Sequence, residues 1–283
     1  MRSVESRVDR TAVASTSVLM RGAAAEDISA IVPMAHLMKS QLGEWSPLYF
    51  RPRDGAEELH AAYLEFLIRS EDNETQVIVD NDTVVGFFHV VAQPRHRWVD
   101  DLYLSDPRRW PQTVTLLVDE VATPWVTCVS HYDDVRSAAF RSGGLEPVSM
   151  FWARALDATQ GRVAAVVGPP ADLRDDAPRH TFGSGTPLDP STPGALVVVD
   201  GRGGYVVGSP GIEPPLYDPG GPSCVVDRIH GSDRRALLDA AMSAAAGRSD
   251  AGMVVVCDQH DHELRHVLLD AGFRAEVDLF ALV

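Results

Sequence analysis

One stretch of this sequence occurs twice, and this internal repeat constrains the possible folds more than any other feature. The segment CVSHYDDVRSAAFRSGG, which begins at Cys128, aligns without a gap with CDQHDHELRHVLLDAGF, which begins at Cys257. The alignment pairs a cysteine, a histidine, an arginine and a glycine, and it continues as far as Phe151 and Phe280. The two halves of the chain are therefore predicted to end in the same strand–helix–strand unit.

The repeat also extends upstream of the two cysteines. VDDLYLSDPRR, from Val99, matches VDRIHGSDRR, from Val226, whereas the residues WPQTVT that follow in the first half have no counterpart in the second. Each match is preceded by two β-rich runs around a polar turn, TQVIVDNDTVVGFFHVVA and ALVVVDGRGGYVVG, which predict hairpins. The shared order is thus hairpin, strand, helix, strand, helix, strand.

The first half carries additional elements at its start. SVLMR predicts a strand, and AEDISAIVPMAHLMKSQ and GAEELHAAYLEFLIRS have apolar residues at helical spacing. The predicted fold class is α/β (α+β), in which two mixed, mostly antiparallel sheets flanked by helices dock as a tandem repeat. The predicted divisions are a mobile tail, a complete first domain, a Pro/Gly-rich linker and a truncated second domain, at residues 1–16, 17–157, 158–194 and 195–283.

Composition narrows the function classes. The formal net charge of −15 disfavours nucleic acid and anionic membranes as partners, because phosphate binding requires local positive charge. No apolar run approaches the roughly 20 residues that span a bilayer. Three cysteines, an odd number, suit reduced thiols in the cytoplasm, which is the expected location. Lys39 is the single lysine, against 24 arginines, and lysine is therefore not expected among the catalytic residues.

This order of elements resembles the GNAT superfamily of acyl-CoA-dependent N-acyltransferases, in a tandem form with a degenerate second copy. The resemblance implies that the strand RWVDDLYLSD splays away from its neighbour and that the pantetheine arm lies in the gap. It also implies that the next turn holds the pyrophosphate at a helix N-terminus, where unpaired N–H groups and the helix dipole favour an anion. Acetyl-CoA or another acyl-CoA is the implied co-substrate.

The residues implied in cofactor binding follow from the same resemblance. They lie on the splayed strand and in the turn after it: Leu102, Leu104, Arg108, Arg109, Gln112 and Thr113. The turn departs from the family pattern, since no glycine follows the arginines and Pro111 lacks an N–H donor. The two arginines are equally well interpreted as a phosphate clamp or as a solvated basic pair.

The catalytic residues are predicted on the splayed strand. The tyrosine that serves the family as general acid is missing, because Ala139 or Phe140 stands at its place in the first half and Leu268 in the second. Asp101 is the preferred general base, and strand alternation places Tyr103 on the same face. The expected reaction is acyl transfer, with acetyl the preferred group, to the amine of a small molecule, and the acidic chain favours a cationic acceptor.

Two other functions remain open at this point. A non-catalytic GNAT-like module would bind a ligand or partner through the same cleft. A zinc hydrolase is a remote alternative, because HELRH at residues 262–266 matches H-E-x-x-H, with Glu276 and Asp278 as the available third ligands. No metal is expected under the preferred interpretation. Asp100 matches Asp227 across the repeat, which favours a structural role for that pair.

Overall fold

The structure is a computed structural model, which describes residues 18–70, 73–93, 96–157, 194–211, 217–218 and 220–282. The predicted N-terminal tail and residues 158–193 of the predicted linker lie outside the described residues. Within those residues, no helix combines the length and the apolar character needed to cross a membrane.

The first half begins with the strand and helices predicted for it. Its elements are β1 Leu19–Gly22, α1 Ile28–Trp45, α2 Pro47–Phe50, α3 Ala56–Arg69, β2 Asn73–Asp80, β3 Thr83–Ala92, β4 Arg97–Leu104, α4 Trp110–Glu120, β5 Trp125–Ser130, α5 Asp134–Ser142 and β6 Glu146–Ala155. The β2–β3 turn is tight because Asn81 and Asp82 both adopt positive φ, at 47° and 61°, as the two central residues of such hairpin turns require.

The second half repeats the later elements of the first. They are β7 Leu196–Val199, β8 Tyr205–Pro210, β9 Ser223–His230, α6 Arg234–Gly247, β10 Gly252–Asp258, α7 His262–Asp270 and β11 Arg274–Leu282. Among the described residues, this half has no counterpart of α1, α2 or α3. The order hairpin, strand, helix, strand, helix, strand is therefore the same in both halves, as the repeat predicts.

All eleven strands of the described chain form one sheet. Their order is β1-β2-β3-β4-β5-β11-β6-β10-β9-β8-β7. The pairs β4–β5 and β9–β10 are parallel, and the other pairs are antiparallel. The predicted mixed, mostly antiparallel α/β architecture is confirmed. The two predicted sheets are joined edge to edge into one, because hydrogen bonding continues across the centre between β11 and β6.

The two halves exchange their last strands. β11, from the end of the chain, pairs with β5 of the first half, while β6 pairs with β10 of the second. Phe280 on β11 consequently packs in the core of the first half, with its ring 5.6 Å from that of Phe140. Each half thus completes its sheet with a strand supplied by the other.

The exchange is symmetric, and its symmetry is that of the sequence repeat. Cys128 on β5 faces Leu279 on β11. The repeat that aligns Cys128 with Cys257 also aligns Met150 with Leu279, and Cys257 faces Met150 in the β10–β6 ladder. The repeated segments are therefore related by a pseudo-twofold axis through the centre of the sheet.

Helices cover both faces of the first half's sheet. Alternation along β3 sends Phe87 to the face covered by α1 and α3, and Phe88 to the face covered by α4 and α5. α3 covers its face with side chains spaced at helical intervals, namely Ala56, His60, Leu64 and Leu67. The α1–α3 face carries the polar groups that form the candidate site.

Candidate active site

β4 and β5 separate part-way along their length. They pair in parallel from Arg97–Trp125 to Val99–Thr127, after which the ladder stops although both strands continue. The splay implied by the resemblance is therefore present, and it lies beside Leu102–Leu104. Backbone groups of β4 that would face β5 in a complete sheet are turned into this opening.

A buried arginine from α5 reaches the opening. Arg136 donates a hydrogen bond from its guanidinium to the carbonyl oxygen of Leu102, at 3.0 Å. The same guanidinium donates to Asp133 at 3.0 Å and lies 4.7 Å from the ring centre of Trp110. The side chain of Arg136 thus occupies a backbone acceptor that an extended ligand in the opening would use.

A β-bulge turns two neighbouring carboxylates to one face of β4. Asp101 has φ +49°, and the β3–β4 register shifts at this point, so that regular alternation is broken. Aspartate is one of the few residues that adopts such a backbone readily. The predicted shared face of Asp101 and Tyr103 is observed, but the bulge adds Asp100 to it. Opposite the end of β4, a Cβ at Gly86 would lie 2.5 Å from the carbonyl oxygen of Tyr103, which explains the glycine.

Asp101 lies among three basic side chains on this face. Lys39 Nζ is 4.0 Å from Asp101 Oδ1, and His60 Nε2 and His89 Nε2 are each 3.8 Å from Asp101 Oδ2. The imidazole distances are too long for hydrogen bonds, and neither Nε2 atom has a partner among the described residues. Thr75 Oγ1 binds His89 Nδ1 at 2.9 Å and thereby holds that ring.

The side chains of the cluster differ in their protonation state at neutral pH. Burial opposes ionisation of Asp101, but the charge of Lys39 and the nearby imidazoles outweigh it and hold the pKa of Asp101 well below its usual range. Burial lowers the pKa of His60, and it lowers the pKa of His89 to about 4. At neutral pH the site therefore combines a carboxylate with two neutral imidazoles, each of which can accept a proton.

Two tyrosines beside the cluster keep their protons. Burial, with a smaller contribution from the Asp101 and Asp100 charges, raises the pKa of Tyr63 to about 12, and its ring stacks on His60 at 6.4 Å. Burial also raises the pKa of Tyr103. Both phenols are hydrogen-bond donors at neutral pH.

The second half of the chain closes one side of the cluster. Lys39 Nζ donates a hydrogen bond to the hydroxyl of Tyr217 at 3.1 Å, and it lies 4.8 Å from the centre of that ring. Pro52 forms a bridge with Tyr217, next to the contact of Arg51 with Asp218. The lysine that balances Asp101 is therefore held by residues of both halves.

A pocket leads from the surface to this cluster. It has a volume of about 340 Å³ and lies between α1, α3 and the segment that precedes α3. Lys39 and His60, the two neighbours of Asp101 on these helices, line it. This volume is at the lower end of the range for small-molecule pockets.

The predicted phosphate turn is largely occupied by its own side chains. Asp106 accepts the backbone N–H of Arg108 at 3.1 Å and the guanidinium of Arg108 at 2.9 Å. Arg109 pairs with Asp80, and it lies 3.8 Å from Asp106. Pro107 and Pro111 supply no N–H donor at the start of α4. A phosphate would have to displace the Asp106 carboxylate to reach the Arg108 backbone, although the Arg108 side chain itself is 90% exposed.

The remaining predicted cofactor residues differ in access. Gln112 is exposed on the first turn of α4, whereas Thr113 is buried and its hydroxyl has no partner in the described part of the chain. The Leu102 and Leu104 side chains pack into the core with Trp110. These two leucines therefore present backbone atoms, not side chains, to the opening.

Asp100 and Asp227 occupy equivalent positions in the two halves, but their charged neighbours differ, namely Asp101 and Lys39 in the first half and Arg228 in the second. Burial, then the charge of Asp101, raises the pKa of Asp100. Burial raises the pKa of Asp227 to about 6. Both carboxyl groups lie just past the end of a parallel ladder, and the structural role that the repeat favours for the pair stays a prediction.

The HELRH segment lies on the outside of α7. His262, Glu263 and His266 are exposed, and Asp278, a candidate third ligand, pairs with His131 at 3.1 Å. Glu276 is buried beside Arg274. No group of three histidine, cysteine or acidic side chains in the described ranges is placed to hold a metal ion.

Comparison with known proteins identifies the fold. No protein-family model matches the sequence, and no curated protein sequence matches it significantly. The GCN5-related N-acetyltransferase from Sphaerobacter thermophilus is 14% identical, with a TM-score of 0.53, over 94% of this chain and 95% of that chain. A candidate acetyltransferase from Thermoplasma acidophilum is 11% identical, with a TM-score of 0.52, over 93% of this chain and 99% of that chain. The fold is GNAT-like.

Sequence reasoning did not find four residues of the cluster and its opening: Lys39, His60, His89 and Arg136. His60, His89 and Arg136 lie on elements whose hydrophobic periodicity indicates only core packing. Lys39 stands four residues after Ala35, on the apolar face of the predicted helix, where a lysine needs an anionic partner. That requirement was the available signal.

Proposed function

We propose that the protein is an acyl-CoA-dependent N-acyltransferase, with an acetyl group as the preferred donor and a small-molecule amine as the acceptor. The opening beyond Val99–Thr127 carries the proposal, because there β4 no longer pairs with β5 and it runs beside the Asp101 cluster. The pantetheine arm would lie along Leu102–Leu104, the phosphates near Arg108 and Arg109, and the acceptor in the pocket lined by His60.

The proposed chemistry assigns the protons as follows. The acceptor ammonium gives a proton to the neutral imidazole of His60, and the Asp101 carboxylate stabilises the resulting imidazolium. The amine nitrogen attacks the thioester carbonyl carbon, whose oxygen is polarised by a backbone N–H near Leu104. The C–S bond then breaks, the CoA thiolate takes a proton from the Tyr103 hydroxyl, and the second proton of the nitrogen passes to the Tyr103 phenolate, which leaves the amide, the CoA thiol and neutral Tyr103. Most of the rate would come from proximity and orientation.

A non-catalytic ligand-binding role is the second candidate, and one observation favours it. The Asp106 carboxylate already occupies the backbone donor that a pyrophosphate would use. A protein that has lost phosphate binding would retain the cleft and the pocket without the reaction. Binding and turnover therefore have to be measured separately.

Calorimetric titration with acetyl-CoA and with free CoA tests binding. Wild-type protein is expected to bind both, and Arg108→Ala is expected to weaken binding by about tenfold through the loss of one charge-assisted contact. Arg235→Ala, which changes the exposed arginine that the repeat aligns with Arg108, in the first turn of α6, is the control and is expected to have no effect. Absence of binding by acetyl-CoA, propionyl-CoA and free CoA would overturn the proposal.

Thiol release from acetyl-CoA in the presence of primary amines tests turnover. Asp101→Asn is expected to lower the rate by about 100-fold while acetyl-CoA affinity stays within about twofold, because the carboxylate acts on the proton and not on the cofactor. Tight binding without thiol release from any amine would favour the second candidate.

A further inference from the structure

The pocket between α1 and α3 has an inner end and a rim of different character. His60 lines it and is 2% exposed, and its Nε2 has no partner among the described residues. The rim carries three exposed carboxylates, from Asp54, Glu57 and Glu58. A buried, unpartnered acceptor at one end and negative charge at the other define a site with two points of recognition.

The cations that line the pocket do not cancel this charge. Lys39 is balanced by Asp101 at 4.0 Å and by the Tyr217 hydroxyl. His36 lies 3.9 Å from Glu57 and is half exposed. Arg53 is the one guanidinium in the lining, against three carboxylates. An anionic ligand would therefore be repelled at the rim, and a cation would be attracted.

We propose that this pocket is the acceptor site and that it selects a small molecule with two cationic groups. One primary ammonium would donate to His60 Nε2 beside Asp101, and the second cation would lie between Glu57 and Glu58. Neutral imidazole is a suitable partner because it accepts a hydrogen bond from an ammonium and then its proton. The assignment of this pocket to the acceptor rests on the proposed acyl transfer. The binding of a molecule with two cationic groups does not depend on that reaction.

Calorimetric titration with 1,4-diaminobutane tests the site without any cofactor. The diamine is expected to bind about tenfold more tightly than butylamine, because only the diamine carries a second cation for the carboxylates of the rim, and 1,4-butanediol is expected not to bind. Glu57→Gln with Glu58→Gln should remove the advantage of the diamine over butylamine. His60→Gln should weaken both amines by about tenfold. Glu120→Gln, an exposed substitution on α4 at the opposite face of the sheet, is the control and should change nothing.

The outcomes separate this proposal from the proposed function. Equal binding of the diamine and the diol, no binding of either amine, or a Glu57/Glu58 double variant that behaves like Glu120→Gln would overturn the acceptor site. The rim variants are exposed, so their result stands even if His60→Gln fails to fold. Diamine binding without acetyl-CoA binding would support the site and remove the acyltransferase, while the reverse would leave the acyltransferase and remove the site.

Discussion

The two halves of the molecule carry the same arginine at the same point of the repeat and use it differently. Arg136 on α5 reaches across the first half's opening to the Leu102 carbonyl. Arg265, its repeat equivalent on α7, donates instead to the carbonyl of Gln259, at 3.3 Å, just before its own helix. Shared ancestry of a residue therefore does not fix its contact, because the strand it could reach differs between the halves.

The strand that carries the bulge, β4, also has different contacts from its equivalent in the second half, β9. Asp101, with Lys39, His60 and His89 around it, aligns with Arg228 in the second half. No helices equivalent to α1 and α3 cover the second half within the described residues, so nothing there corresponds to the pocket. The first half holds the candidate site, and the second supplies a strand, β11, and the partner of Lys39.

The largest expected effect tests whether the halves form one cooperative unit. Phe280→Ala removes a fully buried ring that β11 places in the first half's core, and it should lower the free energy of unfolding by about 3–5 kcal/mol. Trp110 and Trp125 pack in the same core as Phe280, so tryptophan fluorescence includes signals from that core, although Trp152 on β6 packs with residues of the second half. We expect the urea transition followed by tryptophan fluorescence to shift with this change in the second half.

Phe151→Ala, at the repeat-equivalent position, is the matched comparison. It is also buried, at the centre of the sheet beside strands of the second half. The two variants should shift fluorescence and far-UV circular dichroism together, as one transition. A Phe280→Ala protein whose fluorescence transition stays at the wild-type urea concentration would show that the halves unfold independently and that β11 contributes little to the first.

The sequence contained enough to predict the element order but not the partner of each terminal strand. β6 and β11 are both apolar and both follow a helix that ends near a glycine, so either could have paired with β5 on pattern alone. Their exchange depends on pairing between residues distant in the chain, which periodicity does not report. The repeat did fix the register of the exchange, since the pairs of Cys128 and Cys257 are related by it.

The candidate site, too, could be predicted only in part from the sequence. Asp101 and the splay could be predicted because they lie on one strand whose neighbours match a known element order. His60 and His89 come from different elements, and their approach to Asp101 depends on a bulge that reverses alternation at one residue. A period-two pattern cannot reveal where it is interrupted. The cluster therefore required coordinates, although the position of Lys39 on the apolar face of the predicted helix indicated an anionic partner.

An intermediate effect is expected from Arg136 itself. Its hydrogen bond to Leu102 must break before a pantetheine arm can use that carbonyl, and hydrogen bonds to charged groups contribute roughly 1.5–3 kcal/mol. Arg136→Ala should therefore bind acetyl-CoA about tenfold more tightly than wild type, by calorimetry, because the competitor is gone.

Arg265→Ala tests whether that gain is specific to the first half. Its guanidinium bonds to Gln259 and does not reach the opening, so acetyl-CoA affinity should remain at the wild-type value. Weaker binding by Arg136→Ala would instead show that the guanidinium is a ligand contact, and equal changes in both variants would point to a general effect on the fold.

The smallest expected effect is a pH dependence of the contact that joins β5 to β11. Asp278 accepts from His131 and raises the pKa of that imidazole, so the contact is fully stabilising below the unfolded histidine pKa of about 6.5 and is lost as pH rises through the higher folded value. Because the His131 side chain is 40% exposed, the contribution is expected to be about 0.2–1 kcal/mol. The stability difference between wild type and His131→Gln should therefore shrink from about pH 6 to about pH 8 in urea titrations.

His260→Gln is the matched control, since the repeat places the uncharged Ser149 where Asp278 stands, and its difference from wild type should be constant over that range. A His131→Gln difference that is equally constant would mean that the ion pair adds nothing to the exchanged strand.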